Sequence, residues 1–305
     1  MNGPETINQL KQQEQYKMNR PSYITEKALN SFIKNALAED LQKGDHSTLA
    51  TIPATLQQSA KLLVKEDCIL AGVELAEYIF KYYDKDLTVD VKIKDGEQAK
   101  VGDVAFIVTG SAQSILSTER FVLNCMQRMS GIATLTHDWD SRLVGTKTKL
   151  LDTRKTTPNF RLCEKWAVAI GGGTNHRFGL YDMIMLKDNH IDYNGSISNA
   201  VKMAREYVEK NKLNLKIEVE TRNLKEVQEA INTPGIDRIM LDNMDNETMA
   251  EAVILINKIC ETEASGNVTR ERLKDIAKTG VDYISVGALT HSAKNIDLSL
   301  KALKI

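Results

Sequence analysis

Residues 150–190 carry the densest run of reactive side chains in the chain: LLDTRKTTPNFRLCEKWAVAIGGGTNHRFGLYDMIMLKDNH. An apolar pair, Leu150 and Leu151, runs into Asp152, Thr153, Arg154 and Lys155. A helical stretch and the glycines Gly171, Gly172 and Gly173 lead to His176 and Arg177. A second apolar run, 183–186, ends on Lys187, Asp188, Asn189 and His190. Twice, then, a short strand of buried type stops on basic and hydrogen-bonding side chains. Basic groups where a buried strand surfaces do not help packing and must be desolvated, so they point to a bound anion rich in phosphate or carboxylate. Arginine matches a planar carboxylate bidentately, and lysine acts as a point charge on phosphate. Taken alone, His176 reads as a partly buried histidine with its ring satisfied.

The elements that must hold these residues follow a regular rhythm after residue 147. Apolar strands recur at 149–151, 183–186, 215–219, 237–241, 259–262 and 283–286. Helical segments at 159–170, 196–210, 223–231, 247–256 and 270–278 lie between them. Strand alternating with helix predicts a parallel sheet, and units of similar size favour closure into a barrel over an open doubly wound sheet. No GxGxxG follows the first strand, which argues against dinucleotide binding.

The third strand ends on Glu218 and Glu220, the fourth on Asp242 and Asn243, the fifth on Glu263, Ser265, Gly266 and Asn267, and the sixth on Ser285 and Gly287. In a parallel barrel such ends gather on one face, where barrel enzymes keep their chemistry. Glu220 and Asp242, at adjacent strand ends, could hold one Mg²⁺ with ribose or phosphate oxygens, or each could pair with a neighbouring Lys or Arg. Glu218 is expected to face the opposite way from Glu220, one toward the barrel and one toward the helix layer, or the two to straddle the strand end. Ser265, Gly266 and Asn267, like Ser285, Val286 and Gly287, read as a phosphate cradle entering a helix, with an ordinary βα turn as the alternative. A lysine ending a barrel strand also raises Schiff-base chemistry at Lys187, ranked second because nothing nearby is dedicated to a carbinolamine. A non-catalytic phosphate-binding regulator ranks third, since it has no use for paired metal carboxylates.

Ahead of this region, residues 23–42 read as a helix with Thr25 as N-cap, followed by a turn-rich stretch at 44–48. Strands at 59–65, 67–72, 87–94 and 104–111, around a helix at 71–83, make an α+β unit with antiparallel pairing. Residues 114–143 are helical with an interruption near Gly131. Arg120 and Arg128 fall near one face of that helix, and each alone reads as a solvated arginine.

Composition narrows the class of protein. The 305 residues are 42% hydrophobic and 27% charged, and 40 basic against 41 acidic residues give a net charge of −1. That balance offers no general attraction to nucleic acid. No apolar stretch approaches the roughly 18 residues a spanning helix needs. Residues 1–22 form a polar tail, read as frayed or partly helical and without the apolar core of a secretory signal. Four scattered cysteines with no CxxC pair suggest reduced thiols, a cytoplasmic setting and no zinc site.

In order along the chain, LDTRKTTP, GGGTNHRFGLYD, MLKDNHI, IEVE, IMLDNM, EASGN and DYISVGALTH resemble the quinolinate phosphoribosyltransferase family (nicotinate-nucleotide pyrophosphorylase, carboxylating), a type II phosphoribosyltransferase. Upstream, EDLQKGDHST and TERFVLNCMQRMSGIAT extend the resemblance. Asn267 departs from it, standing where that pattern usually has a second glycine after Ser-Gly, and the stretch before residue 22 has no clear counterpart. The resemblance implies an N-terminal α/β sandwich domain at 23–130, joined by the C-terminal segment 290–305, and an incomplete parallel α/β barrel of about seven strands at 131–289. It implies a head-to-tail homodimer in which each N-terminal domain closes the partner's barrel mouth. Arg154, His176, Arg177 and Lys187 would bind quinolinate, with Arg120 reaching in from the partner chain. Lys155, Glu220, Asp242, Ser265, Gly266, Asn267 and Gly287 would handle 5-phosphoribosyl-1-pyrophosphate, with Glu220 and Asp242 as the Mg²⁺ carboxylates. Lys187, Glu220 and Asp242 would be the catalytic set. The implied partners are these small molecules, with no nucleic acid, no membrane and no organic cofactor.

Overall fold

The structure, a computed structural model, describes residues 20–303, so the expected polar tail lies outside the described residues up to residue 19. Among the described residues, no helix is long and apolar enough to cross a membrane. Residues 20–134, 158–170 and 294–303 form one compact unit, and 135–157 with 171–293 form a second.

In the first unit, helix α1 (Glu26–Asp40) starts where Thr25 accepts a hydrogen bond from the Ala28 amide at 3.1 Å. The stretch at 44–48 is not turn throughout, because Asp45 caps a short helix α2 (His46–Thr51) by accepting from the Thr48 amide at 3.1 Å. Strands β1 (Gln57–Val64) and β2 (Cys68–Ile69), helix α3 (Val73–Tyr83), and strands β3 (Thr88–Val91), β4 (Gln98–Ala99) and β5 (Val104–Ser111) follow. The main sheet is antiparallel, in the order C-terminal strand (Leu298–Ala302), β1, β5, β3, while β2 and β4 form a separate pair. On β1 the buried side chains are Ala60, Leu62 and Val64, the period of two that turns one face to a core. There Phe80 of α3 meets Phe106 of β5 edge-on, with ring centroids 5.9 Å apart.

Helix α4 (Ala112–Asp140) runs without a break past Gly131, contrary to the interruption expected there. The glycine serves packing instead: a Cβ on it would stand 1.8 Å from the carbonyl oxygen of Lys294. Helix α5 (Arg161–Ile170), which the sequence reading assigned to the barrel, belongs to the first unit. It buries Cys163, Trp166, Ala167 and Val168, and its buried Glu164 receives Arg128 of α4 at 3.0 Å.

The second unit contains strands β6 (Lys149–Leu151) and β7 (Ile184–Leu186), helices α6 (Asp188–Asn194) and α7 (Ile197–Lys210), and strand β8 (Ile217–Thr221). Helix α8 (Leu224–Ile231), strand β9 (Arg238–Asp242), helix α9 (Asn246–Ile256), strand β10 (Glu261–Ser265), helix α10 (Leu273–Lys278), strand β11 (Tyr283–Ser285) and helix α11 (Ala288–His291) complete it. Ser196, Asn223 and Asp245 start α7, α8 and α9, each accepting from a backbone amide three residues on. The sheet is parallel throughout, in the order β6-β11-β10-β9-β8-β7. From β7 to β11 this is chain order, and β6 is brought round beside β11. A doubly wound sheet reverses direction at its middle. This one winds a single way, as a barrel does. Thr174 adds a one-residue parallel bridge to Leu151, so six strands and that bridge occupy the places expected of about seven. The strands β8 and β10 begin two residues later than the apolar runs suggested.

Candidate active site

A cavity of about 750 Å³ opens at the C-terminal ends of the barrel strands. The segment after β6 lines it with Thr153, Arg154 and Lys155, and the loop after the Thr174 bridge with His176 and Arg177. The ends of β7, β8 and β9 give Met185 and Lys187, Glu220, and Met240, Asp242 and Asn243. From β10 onward come Glu263, Ser265, Gly266, Asn267 and Val268, and from β11 onward Ser285, Val286, Gly287, Ala288 and His291. Arg154, Lys155, His176, Arg177, Lys187, Glu220, Asp242, Ser265, Gly266, Asn267 and Gly287 are thus brought together. Arg120 is not among the lining residues; it is exposed on α4 in the first unit.

Asp152, fully buried at the end of β6, holds the histidine loop in place. Its carboxylate accepts from the His176 amide at 2.8 Å and from the Asn175 side chain at 2.6 Å. His176 Nδ1 faces the Arg177 amide at 2.6 Å and can accept from it only while the ring is neutral, so charging the ring gives up that bond. Nε2 lies 3.1 Å from a Glu218 oxygen and 3.2 Å from a Glu263 oxygen. Neither contact is well aligned, so both are ionic more than hydrogen-bonded. Burial opposes a charge on this ring, but the two carboxylates more than offset it and hold the pKa up at about 9. Beneath them the Arg238 guanidinium donates to Glu263 at 2.9 Å and to Glu261 at 3.1 Å, and lies over the Tyr283 ring at 4.1 Å. Burial and the neighbouring Glu263 charge push Glu218 up, whereas His176 and Arg238 overcome burial at Glu263 and bring it down.

Glu218 and Glu220 therefore both face the interior, against the expectation that they would point opposite ways. Residues two apart on a strand share a face. Glu218 meets His176 below, and Glu220 lines the cavity above.

The cations above this floor lack enough protein anions. Arg154 Nε is buried and makes no hydrogen bond among the described residues. Arg177 donates to the Met183 carbonyl at 3.1 Å, and burial together with the nearby Arg154 charge lowers its pKa. Two guanidiniums close enough to disfavour each other, one with an orphaned buried donor, make a site for an anion. Lys187 is ion-paired to Glu220 at 2.9 Å with its side chain 48% exposed. A Schiff-base lysine is activated by desolvation or a neighbouring cation, and here the neighbour is a carboxylate.

Asp242 accepts from Asn243 Nδ2 through one oxygen at 2.6 Å, and Glu220 meets Lys187 through one oxygen. Among the described residues the second oxygen of each has no hydrogen-bond partner. Two carboxylates with a free oxygen each, on neighbouring strand ends beside an anion pocket, fit Mg²⁺, which takes a few carboxylates and completes its shell from water and phosphate. The glycine-bearing turns differ from each other. Gly287 leads directly into α11, and a Cβ there would meet Lys155 Cδ at 2.8 Å, so the glycine lets Lys155 lie across the turn. Gly266 and Asn267 do not enter a helix as expected, because α10 begins only at Leu273.

Sequence reasoning missed His291, Met185, Met240 and Val268 as lining residues. His291 follows the sixth strand in VGALTH, one turn beyond the polar strand end, and that offset is the signal that could have found it.

A one-way-wound parallel barrel with Arg, Lys, His and paired carboxylates at its mouth defines an enzyme for a polyanionic small molecule. The model of the quinolinate phosphoribosyl transferase C-terminal domain matches residues 132–301, and that of the N-terminal domain matches residues 45–130. The tobacco protein named quinolinate phosphoribosyltransferase [decarboxylating] 2b, mitochondrial, is 48% identical over 288 residues, 90% of this chain and 82% of its own length. NadC from Streptococcus pyogenes is 40% identical with a TM-score of 0.85, over 92% of this chain and 99% of that one. The nicotinate-nucleotide pyrophosphorylase structure from Francisella tularensis is 38% identical with a TM-score of 0.82, over 92% and 98%. The chain belongs to the quinolinate phosphoribosyltransferase family.

Proposed function

We propose that the protein transfers the phosphoribosyl group of 5-phosphoribosyl-1-pyrophosphate to quinolinate and decarboxylates the adduct. The products are nicotinate mononucleotide, pyrophosphate and CO₂. The observation that carries this reading is the cation cluster of Arg154, His176, Arg177 and Lys187 in one cavity with the carboxylates of Glu220 and Asp242. The first set suits a dicarboxylate, and the second suits the metal-bound end of a pyrophosphate.

In this reading Arg154 and Arg177 clamp the acceptor's carboxylates, and the charged His176 supports them from the floor. Lys187 neutralises charge between acceptor and donor while its pair with Glu220 fixes its position. Lys155, Ser265, Gly266 and Gly287 receive the donor's phosphates. Mg²⁺, held by Glu220 and Asp242, would supply charge neutralisation at the leaving pyrophosphate. The pyridine nitrogen forms a bond to ribose C1 as the C1–O bond to pyrophosphate breaks. The bond from ring C2 to its carboxylate then breaks, its electron pair staying on C2 beside the new pyridinium nitrogen, and C2 takes up a proton. Positioning and electrostatics supply the rate, and no protein nucleophile or organic cofactor is required.

The same reading includes a homodimer in which Arg120 completes the partner's site. Its support is that Arg120 is exposed and makes no ion pair among the described residues. Lys187→Ala and Arg154→Ala are expected to lose turnover by about 10²-fold or more with unchanged melting temperature. Unfolding of either variant would make the residue structural. Borohydride in the presence of quinolinate or donor should trap nothing on Lys187, and a trapped adduct there would favour the Schiff-base reading.

A further inference from the structure

Asn267 is placed to act on the carboxylate of Asp242 through its neighbour. Asp242 can only accept a hydrogen bond, so the Asn243 group facing it at 2.6 Å must be the NH₂ end. The Asn243 carbonyl oxygen is then turned away and accepts from Asn267 Nδ2 at 3.0 Å. The polarity of this chain follows from the carboxylate at its end and does not depend on how either amide is drawn.

The backbone is shaped to allow it. Asn243 and Asn267 sit at φ +55° and +47°, the left-handed region that asparagine enters more readily than other side chains. Between them Gly266, at φ +85°, comes so close that a Cβ would stand 2.2 Å from the Asn243 carbonyl oxygen. The Asn243 amide donates to the Ser265 carbonyl at 2.9 Å, and Arg272 donates to the Asn267 carbonyl at 2.9 Å. The loop after β10 is thus held at both ends with its asparagine aimed at the end of β9. A glycine at 267 could follow the same backbone path but could not close the chain of hydrogen bonds.

We propose that Asn267 is a positioning residue that, through Asn243, fixes the Asp242 carboxylate for the metal-bound pyrophosphate end of the donor. This rests on the phosphoribosyl-transfer reading and adds to it a residue that acts at one remove from the ligand.

The test is calorimetric titration of the full chain with inorganic pyrophosphate in the presence of Mg²⁺, and separately with quinolinate. Asn267→Gly keeps the backbone conformation accessible, and Asn267→Asp keeps the shape while setting an acceptor against the Asn243 carbonyl. Asn267→Gly is expected to weaken pyrophosphate binding about 3- to 10-fold, the worth of one hydrogen bond, with quinolinate affinity unchanged. Asn267→Asp should weaken it further. In an Asn243→Gly background the same change at 267 should have no additional effect. Unchanged pyrophosphate affinity in Asn267→Gly, equal loss for both ligands, or additive effects of the two positions would each overturn the assignment while leaving the proposed reaction standing. A wild-type chain that binds neither pyrophosphate nor quinolinate would overturn the reaction and the assignment together.

Discussion

His176 is where the site's electrostatics are set. It is almost fully buried, yet two glutamates within 3.2 Å and Arg238 behind them make charging it favourable. Its pKa therefore rises from the ordinary 6.5 to about 9 on folding. A group whose pKa is raised in the folded state stabilises the fold fully below its unfolded value and loses that contribution as pH climbs through the folded one. Stability should accordingly fall between pH 6.5 and about 9, by on the order of 3 kcal/mol from this group. His176→Gln should flatten that stretch of the denaturant-derived stability curve. An equally steep fall in the variant would show that other groups drive it. The same shift predicts acceptor affinity that is flat across neutral pH, because the imidazolium persists there. Burying a salt-bridged network rarely adds net stability over apolar packing, so the floor of this pocket is better understood as holding a fixed charge than as strengthening the core.

At the scale of elements, the sequence was informative where local signals decide the outcome. Thr25 capped the helix it was expected to cap, and the alternation of strands and helices from residue 149 onward named every barrel strand. The polar residues following each apolar run were legible for the same reason: a parallel barrel collects its strand ends, so order along the chain becomes proximity at one face. What was not legible depended on distant partners. Gly131 looks like a helix breaker until the Lys294 carbonyl is seen against it, and nothing along the chain near Arg238 names Glu261 and Glu263 as its partners. The facing of Glu218 was a failure of another kind, since the two-residue period of a strand already puts it on the side of Glu220. The contact at Gly131 gives a test. Adding a methyl group there must push the helix off the 294–298 segment, whose Ile296 amide donates to the Gln127 carbonyl at 3.0 Å. Gly131→Ala should cost about 1–3 kcal/mol in chemical denaturation despite alanine's better helix propensity. A neutral or stabilised variant would mean that the close approach is not maintained in solution.

For the molecule as a whole, the homodimer proposed above would combine Arg120 of one chain with the barrel of another. Arg120→Ala and Lys187→Ala should each be inactive alone. After subunit exchange an equal mixture should recover about a quarter of wild-type activity, because half the dimers then carry one intact site. No recovery under conditions where subunits demonstrably exchange would place Arg120 outside the partner's site. The reaction itself is open to a single assay. The full chain is incubated with Mg²⁺ and 5-phosphoribosyl-1-pyrophosphate, with either quinolinate or nicotinate as acceptor, with and without chelator. Nicotinate mononucleotide and CO₂ are then followed by mass spectrometry. The expected result is equimolar nucleotide and CO₂ from quinolinate, nothing from nicotinate, and loss of both products on chelation. Absence of nucleotide from quinolinate, or its formation without CO₂, would rule out the proposed reaction.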